Sequence, residues 1–202
     1  MGRPTLTTLA LFAVVFAAQV TGFSYGFEAT AFALALPLDH RPWTVVLSVY
    51  AHASPAHLVA NAVALLVVGP LVAYQSTSIR FHLFFVVSGA LAGVAQVLAT
   101  VPYGSRPVLG ASGAIFALFG YLLVGNRASE WALSWIPLGP LGRLILFAVL
   151  AAAVTLATAA PGVALVAHFT GFLVGVVAGR FRLLHKSRST PAPESRVERP
   201  NR

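Results

Sequence analysis

The chain has 202 residues, of which 58% are hydrophobic and only 9% are charged. A soluble domain of this size needs many more charged residues on its surface, and we therefore expect a membrane protein. The formal net charge is +8, and the absence of cysteine excludes disulfides, thiol catalysis and thiolate metal sites.

Six apolar segments predict membrane-spanning helices, and the expected fold class is an all-α membrane protein with a six-helix bundle. Their approximate bounds are 6–23, 55–74, 81–98, 112–124, 141–159 and 163–184. Residues between the first two segments mix polar, aromatic and apolar side chains, which is typical of an interfacial loop with short helical pieces. Ser54 and Pro55 indicate the start of the second helix, as its N-cap and first helical residue. We therefore expect one membrane domain over residues 1–184.

The basic residues are unevenly distributed, and their distribution predicts the orientation in the lipid bilayer. If the N-terminus is cytoplasmic, eleven of the 13 lie inside, all except Arg41 and Arg106. This predicts that both termini are cytoplasmic. The tail over residues 185–202 is basic and is expected to be disordered. Its charge favours an anchor beside anionic lipid over nucleic-acid binding, because no folded basic domain accompanies it.

Ser112 is the first chemically reactive candidate, in a Gly-Ala-Ser-Gly turn at the start of the fourth helix. Glycines allow backbones to approach closely and adopt unusual dihedral angles. A helix N-terminus offers unpaired N–H groups to a developing negative charge. The turn is therefore suited to a serine nucleophile. Small residues also mediate helix packing in membranes, so packing alone is the alternative.

His168 lies in the sixth helix, followed by Gly171, Gly175 and Gly179 on one helix face. That face is predicted to pack closely on the small residues of the fourth helix. Such packing would bring His168 to Ser112 as a general base. An interhelical hydrogen bond that only stabilises the bundle is the alternative.

His57 and Asn61 are four residues apart and share one face of the second helix. Both can donate hydrogen bonds to a substrate carbonyl oxygen, and bridging between helices is the alternative. His52 precedes this helix as a supporting residue. A metal site is disfavoured, because the histidine spacing is unsuitable and no carboxylate accompanies it.

The apolar helices contain no aspartate or glutamate. A catalytic arrangement would therefore be a Ser–His dyad rather than a triad with a carboxylate. Proton-coupled transport, which typically uses carboxylates within the membrane, is disfavoured for the same reason.

The motifs together resemble those of the rhomboid family of intramembrane serine proteases. The run from His52 to Asn61, His-Ala-Ser-Pro-Ala-His-Leu-Val-Ala-Asn, is similar to the family's helix 2 signature. Gly-Ala-Ser-Gly at 110–113 is similar to its nucleophile motif, and Ala-His-Phe-Thr-Gly at 167–171 to its helix 6 base motif. The resemblance covers about residues 6–184 and implies a rhomboid-like bundle of six helices.

The resemblance implies a role for each matching residue. Ser112 would be the nucleophile and His168 its general base. His57, Asn61 and the backbone N–H of Ser112 would form the oxyanion hole, and His52 would support the first loop. The other supporting residues implied are Gly110, Gly113, Phe116 and Gly171.

Two positions depart from the family's pattern. Trp43 matches the tryptophan of a Trp-Arg pair in the first loop, but Thr44 stands where the arginine is expected. Phe116 stands where the family often has a tyrosine that stacks on the histidine, and phenylalanine can stack without offering a hydroxyl. Neither change removes a catalytic group.

The expected function is cleavage of single-pass transmembrane proteins near the outer end of their spanning segments, with no cofactor. The protein would be a multi-pass component of a prokaryotic plasma membrane, with its active site toward the outer side. One alternative is a catalytically silent rhomboid-like protein that binds transmembrane clients. The other is a small transporter or channel, which the lack of membrane carboxylates and duplicated halves disfavours.

Overall fold

The protein is described from a computed structural model, which places residues 2–28, 31–104, 106–125, 131, 134–135, 137–158 and 163–186. Within these ranges seven α-helices are present. They are α1 (Arg3–Ser24), α2 (Thr44–Leu47), α3 (Pro55–Gln75), α4 (Ser78–Ala99), α5 (Ser112–Val124), α6 (Pro140–Ala157) and α7 (Leu165–Arg180). A 3₁₀ turn at Val101–Tyr103 follows α4.

The helices differ in their ability to cross a membrane. By length and apolar composition α1, α3 and α4 are candidate membrane spans, whereas α5, α6 and α7 are apolar but shorter. The expected class, a helical membrane protein, therefore agrees with the structure. The short α2 in the first loop adds a helix to the predicted six, and the count of six membrane spans stays a prediction.

Several helix boundaries differ from those predicted, for local reasons. The third predicted helix begins at Ser78 rather than 81, because the Thr77 hydroxyl caps it by accepting the Arg80 N–H at 3.3 Å. The sixth ends at Arg180 rather than 184, and Arg182 adopts a left-handed φ of 51°. The predicted cap at Ser54 is confirmed, since its hydroxyl accepts the His57 N–H at 3.1 Å.

Two predicted features lie partly outside the described residues. The fifth helix, predicted over 141–159, ends at Ala157 with Thr158 as its C-cap, and residue 159 lies outside the described residues. The tail was expected over 185–202, of which only 185–186 are described.

The backbones of α5 and α7 are in direct contact. A Cβ atom added to Gly171 would lie 2.1 Å from the carbonyl oxygen of Gly113, and one added to Gly175 would lie 2.0 Å from that of Ala117. From the other side, a Cβ on Gly120 would lie 2.2 Å from the Phe172 carbonyl oxygen. Real Cβ atoms do not approach so closely, so glycine is required at these positions. The predicted packing of these two helices is confirmed.

Helix α5 lies at the centre of the described bundle, against α3, α4 and α7. Its inward side chains are fully buried, with Leu118 and Tyr121 both at 0% exposure. Leu65 from α3 and Phe85 from α4 are equally buried and belong to the same cluster. This dense packing of apolar side chains fixes the position of α5, which begins at Ser112.

The segment after α7 folds back over the far end of the bundle. His185 Nδ1 is 2.7 Å from the Tyr121 hydroxyl of α5, and its carbonyl oxygen accepts a hydrogen bond from the Arg80 guanidinium of α4. The Lys186 N–H donates to the Gln75 carbonyl oxygen of α3 at 3.0 Å, and Leu184 is 1% exposed. The C-terminal end of α7 is thereby anchored to α3, α4 and α5.

Replacing Gly175 by alanine should destabilise the protein, because the new methyl group must displace the Ala117 carbonyl of α5. Overpacking of this kind costs about 1–3 kcal/mol. Gly22→Ala in α1 is the matched control, since its Cβ would meet only side-chain atoms at 3.5 Å or more. Thermal unfolding in detergent measures both. Equal stability of Gly175→Ala and Gly22→Ala would contradict the direct contact of α5 and α7.

Candidate active site

The first loop, between α1 and α3, is hydrogen-bonded to the segment that leads into Ser112. Leu34 and Val108 exchange two backbone hydrogen bonds, of 2.8 and 2.9 Å. The Gly110 N–H donates to the Ser48 carbonyl oxygen at 2.9 Å. Gly110 has a φ of +128°, a conformation that favours glycine. Ser112 is consequently fixed as the first residue of α5.

A small cavity borders Ser112. Its volume is about 20 Å³, and its lining includes Ser48, Gly93, Ser112 and Ala167. A space of this size admits about one water molecule. The site therefore has room for a water directly beside the serine.

His168 lies in the second turn of α7 and is only 7% exposed. Its ring stacks on Phe116, with the ring centroids 4.2 Å apart and the planes inclined by 17°. Its Nδ1 is 3.2 Å from the Thr158 hydroxyl at the end of α6. The start of α7 is held on α4 by the Ala167 N–H, which donates to Gln96 Oε1 at 3.1 Å. The expected stacking of Phe116 is present, and the contact with Thr158 was not foreseen.

Ser112 and His168 lie on facing turns of two helices whose backbones touch. A Cβ on Gly113, next to Ser112, would lie 3.5 Å from the carbonyl oxygen of Ala167, next to His168. Phe116 is one turn after Ser112 and carries the ring that stacks on His168. The structure thus places the two residues of the predicted dyad on facing turns of touching helices, and the dyad itself stays a prediction.

His57 lies against the turn that precedes Ser112. A Cβ added to Gly110 would be 2.6 Å from His57 Cε1 and 2.9 Å from Nε2. The Ala53 N–H donates a long hydrogen bond, of 3.5 Å, to His57 Nδ1. A ring that accepts at Nδ1 carries its proton on Nε2 when neutral. Of the two ring nitrogens of His57, Nε2 lies nearer Gly110.

Asn61 lies one turn further along α3 and is 5% exposed. Its side-chain Nδ2 donates to the His57 carbonyl oxygen at 3.0 Å. This bond uses one of the two amide protons and fixes the side chain beside His57. The second proton would be the one available to a substrate.

His52 is 2% exposed and is held by its backbone. Its N–H donates to Gln19 Oε1 of α1 at 2.9 Å, and Gln19 Nε2 donates to its carbonyl oxygen at 3.3 Å. The ring lies edge-on to Phe12 and His57, with centroids 4.9 and 5.2 Å away. Burial and, secondarily, the neighbouring His57 lower the pKa of His52 to about 4, so its ring is neutral near pH 7. Gln19 was missed from the sequence, where a lone glutamine in an apolar helix was its only signal.

Comparison with known proteins identifies the family. The model of the rhomboid domain matches residues 39–185. The chain belongs to the rhomboid family. The rhomboid protease GlpG of Haemophilus influenzae is 25% identical over 187 residues, which cover 88% of this chain and 90% of that protein.

RHOMBOID-like protein 5 of Arabidopsis thaliana is a second relative, 32% identical over 142 residues. These cover 70% of this chain and 44% of that protein, so the chain spans less than half of the plant relative's length. The rhomboid match and the apolar helices together agree with a multi-pass membrane protein.

The first loop of this rhomboid is anchored without the arginine of the Trp-Arg pair. Thr44 is 1% exposed, and its hydroxyl donates to the Arg41 carbonyl oxygen at 2.7 Å. The Trp43 indole N–H donates to the Ala31 carbonyl oxygen at 3.2 Å. Thr44 therefore closes the turn locally.

Replacing Gln19 by methionine should destabilise this rhomboid. It preserves the side-chain length but leaves the buried N–H and carbonyl of His52 without their partner, at about 1–3 kcal/mol for each unsatisfied group. Val20→Met, at the adjacent exposed position, is the matched control. Denaturant or thermal unfolding in detergent compares them. If Gln19→Met is as stable as Val20→Met, the two hydrogen bonds between Gln19 and the backbone of His52 contribute nothing to the stability of the protein.

Proposed function

We propose that this rhomboid is an intramembrane serine endopeptidase, with Ser112 as nucleophile and His168 as general base. The observation that carries the proposal is the backbone contact of α5 with α7, which puts the ring of Phe116, one turn from Ser112, on that of His168. Membership of the rhomboid family, with a relative named as a protease, supports it.

The proposed reaction has two steps. Ser112 Oγ attacks the scissile carbonyl carbon while His168 Nε2 takes its proton, and the carbonyl π electrons move to oxygen. When this intermediate collapses, the C–N bond breaks and His168 returns the proton to the leaving amine. A water then attacks the acyl-enzyme by the same proton route, which releases the second product and regenerates Ser112. The small cavity beside Ser112 is a place from which such a water can come.

The negative oxygen needs hydrogen-bond donors already in position. Ser112 is the first residue of α5, so its backbone N–H has no acceptor within the helix and lies at the positive end of the helix dipole. His57 beside Gly110 and Asn61 beside His57 are the proposed side-chain donors. These three donors come from two helices that both begin near the site.

The proposed substrates are single-pass transmembrane proteins, cut near the outer end of the spanning segment. Both termini of the protease would be cytoplasmic, with the site toward the outer side of a prokaryotic plasma membrane. A helical scissile bond keeps its carbonyl hydrogen-bonded and shielded, so helix-breaking residues near the cut should favour cleavage. Water must reach the site, and the polar side chain of Ser48 beside the cavity supports a hydrated pocket.

Cleavage of a reporter transmembrane substrate by purified protein in detergent tests the dyad. Ser112→Ala and His168→Ala should each lower kcat by at least about a thousandfold, because neither the nucleophile nor its base has a substitute. Ser24→Ala and His40→Ala are the controls, both at exposed positions. These controls should cleave at the wild-type rate.

Retained cleavage by Ser112→Ala or His168→Ala would contradict the proposed dyad. If the folded wild type cleaves no transmembrane substrate, the client-binding alternative replaces the protease. Co-purification of an uncut transmembrane segment with the wild type would then support that alternative.

The oxyanion hole makes a separate prediction. His57→Ala and Asn61→Ala should each lower kcat by about 10²–10³-fold with little change in KM, because the donors act mainly on the charge that develops in the transition state. Steady-state kinetics on the same reporter measure both constants. A wild-type kcat in both variants would exclude the two side chains from this role.

A further inference from the structure

We propose that Thr158 is a positioning residue for His168, acting as a neutral third member of the site in place of a carboxylate. Its hydroxyl fixes the imidazole tautomer that carries its proton on Nδ1 and so leaves Nε2 free as the base. This inference rests on the proposed function, since it concerns the same histidine.

The hydrogen bonds of Thr158 support one direction for its contact with His168. Its Oγ1 lies 3.1 Å from the Val154 carbonyl oxygen and 3.0 Å from that of Thr155, both in the last turn of α6, which Thr158 follows directly. A hydroxyl has one proton, and here two carbonyl oxygens stand ready to accept it. In the proposed arrangement the hydroxyl donates its proton to one of these carbonyl oxygens of α6, and Oγ1 is left to accept from the ring.

His168 Nδ1 lies 3.2 Å from the same oxygen. With its proton directed elsewhere, Thr158 Oγ1 meets the ring as an acceptor. The ring must then donate, which requires an N–H at Nδ1 and leaves the lone pair of the neutral imidazole on Nε2. Phe116 stacks on the ring face while Thr158 holds one ring edge, so the two contacts restrict different rotations of the imidazole.

A hydroxyl suits a membrane site better than an aspartate does. An ionised carboxylate among apolar helices is costly to bury, whereas the threonine satisfies its own proton within α6. When Nε2 accepts the Ser112 proton, the imidazolium keeps its Nδ1–H on Thr158, so no second proton moves. Thr158 thus orients the base without contacting the substrate.

Three variants distinguish the effect of the Thr158 hydroxyl from the effect of its side-chain packing. Thr158→Val removes the hydroxyl with almost no change of shape, and Thr158→Ser retains it. Thr155→Val is the matched control, one turn earlier on α6, where the buried hydroxyl has no hydrogen-bond partner in the part of the chain that is described. Each variant is assayed for kcat and KM on the reporter substrate and for thermal unfolding in detergent.

Thr158→Val should lower kcat about 10- to 100-fold, the loss expected for one hydrogen bond to a charged ring, with KM unchanged. Thr158→Ser and Thr155→Val should stay within about twofold of the wild type. If Thr158 acted only by packing, kcat would not fall in Thr158→Val and be retained in Thr158→Ser. Wild-type kcat in Thr158→Val, or equal loss in Thr158→Ser, would overturn the proposal.

The tautomer itself can be read by nitrogen NMR of protein labelled with ¹⁵N-histidine, with His168 assigned from the spectrum of His168→Ala. The wild type should show a protonated Nδ1 and an unprotonated Nε2, and Thr158→Val should lose this preference. A wild-type ring protonated on Nε2 would overturn the proposal even if the protein is a protease. A wild type that shows the Nδ1–H form but cleaves nothing would leave Thr158 as the partner of His168 and refute only the protease.

Discussion

The contact between the backbones of α5 and α7 is the constraint on which the rest of this rhomboid depends. Glycines at 120, 171 and 175 remove the side chains that would keep the two helices apart. Because the helices touch, Phe116, one turn after Ser112 on α5, stacks on the ring of His168 on α7. Helix α7 is anchored at both ends, by Gln96 at its start and by the folded-back segment at 181–186 beyond its end. These anchors oppose sliding of α7 along α5.

The polar groups of the site are held by partners drawn from several helices, which fits the high cost of an unsatisfied polar group in an apolar surround. Gln19 of α1 accepts and donates to the backbone of His52, and Gln96 of α4 accepts the N–H of Ala167. Thr158 of α6 meets His168. The contacts of Gln96 and Thr158 join helices that carry no proposed catalytic group to α7, which carries His168. The surrounding helices therefore contribute to the geometry of the site as well as to the fold.

Much of this arrangement could be predicted from the sequence, because its signals are local. Apolar length predicted the helices, the Ser54-Pro55 pair predicted the start of α3, and glycines at four-residue spacing predicted the contact of α7 with α5. The early end of α7 could not be predicted, since an arginine in the left-handed conformation has no sequence signal. Gln19 and Thr158 were missed for another reason: their partners depend on how helices far apart in the chain pack together.

The most direct test is to map the covalent adduct formed when the wild-type protein in detergent reacts with a fluorophosphonate. If Ser112 is the nucleophile and His168 its base, as proposed, the protein should react once per chain, and peptide mass spectrometry should find the phosphonyl group on Ser112. Denaturing the protein first should abolish the reaction, because the isolated serine is unactivated. An adduct on another residue, or none on the folded protein, would contradict the assignment of Ser112 as the nucleophile.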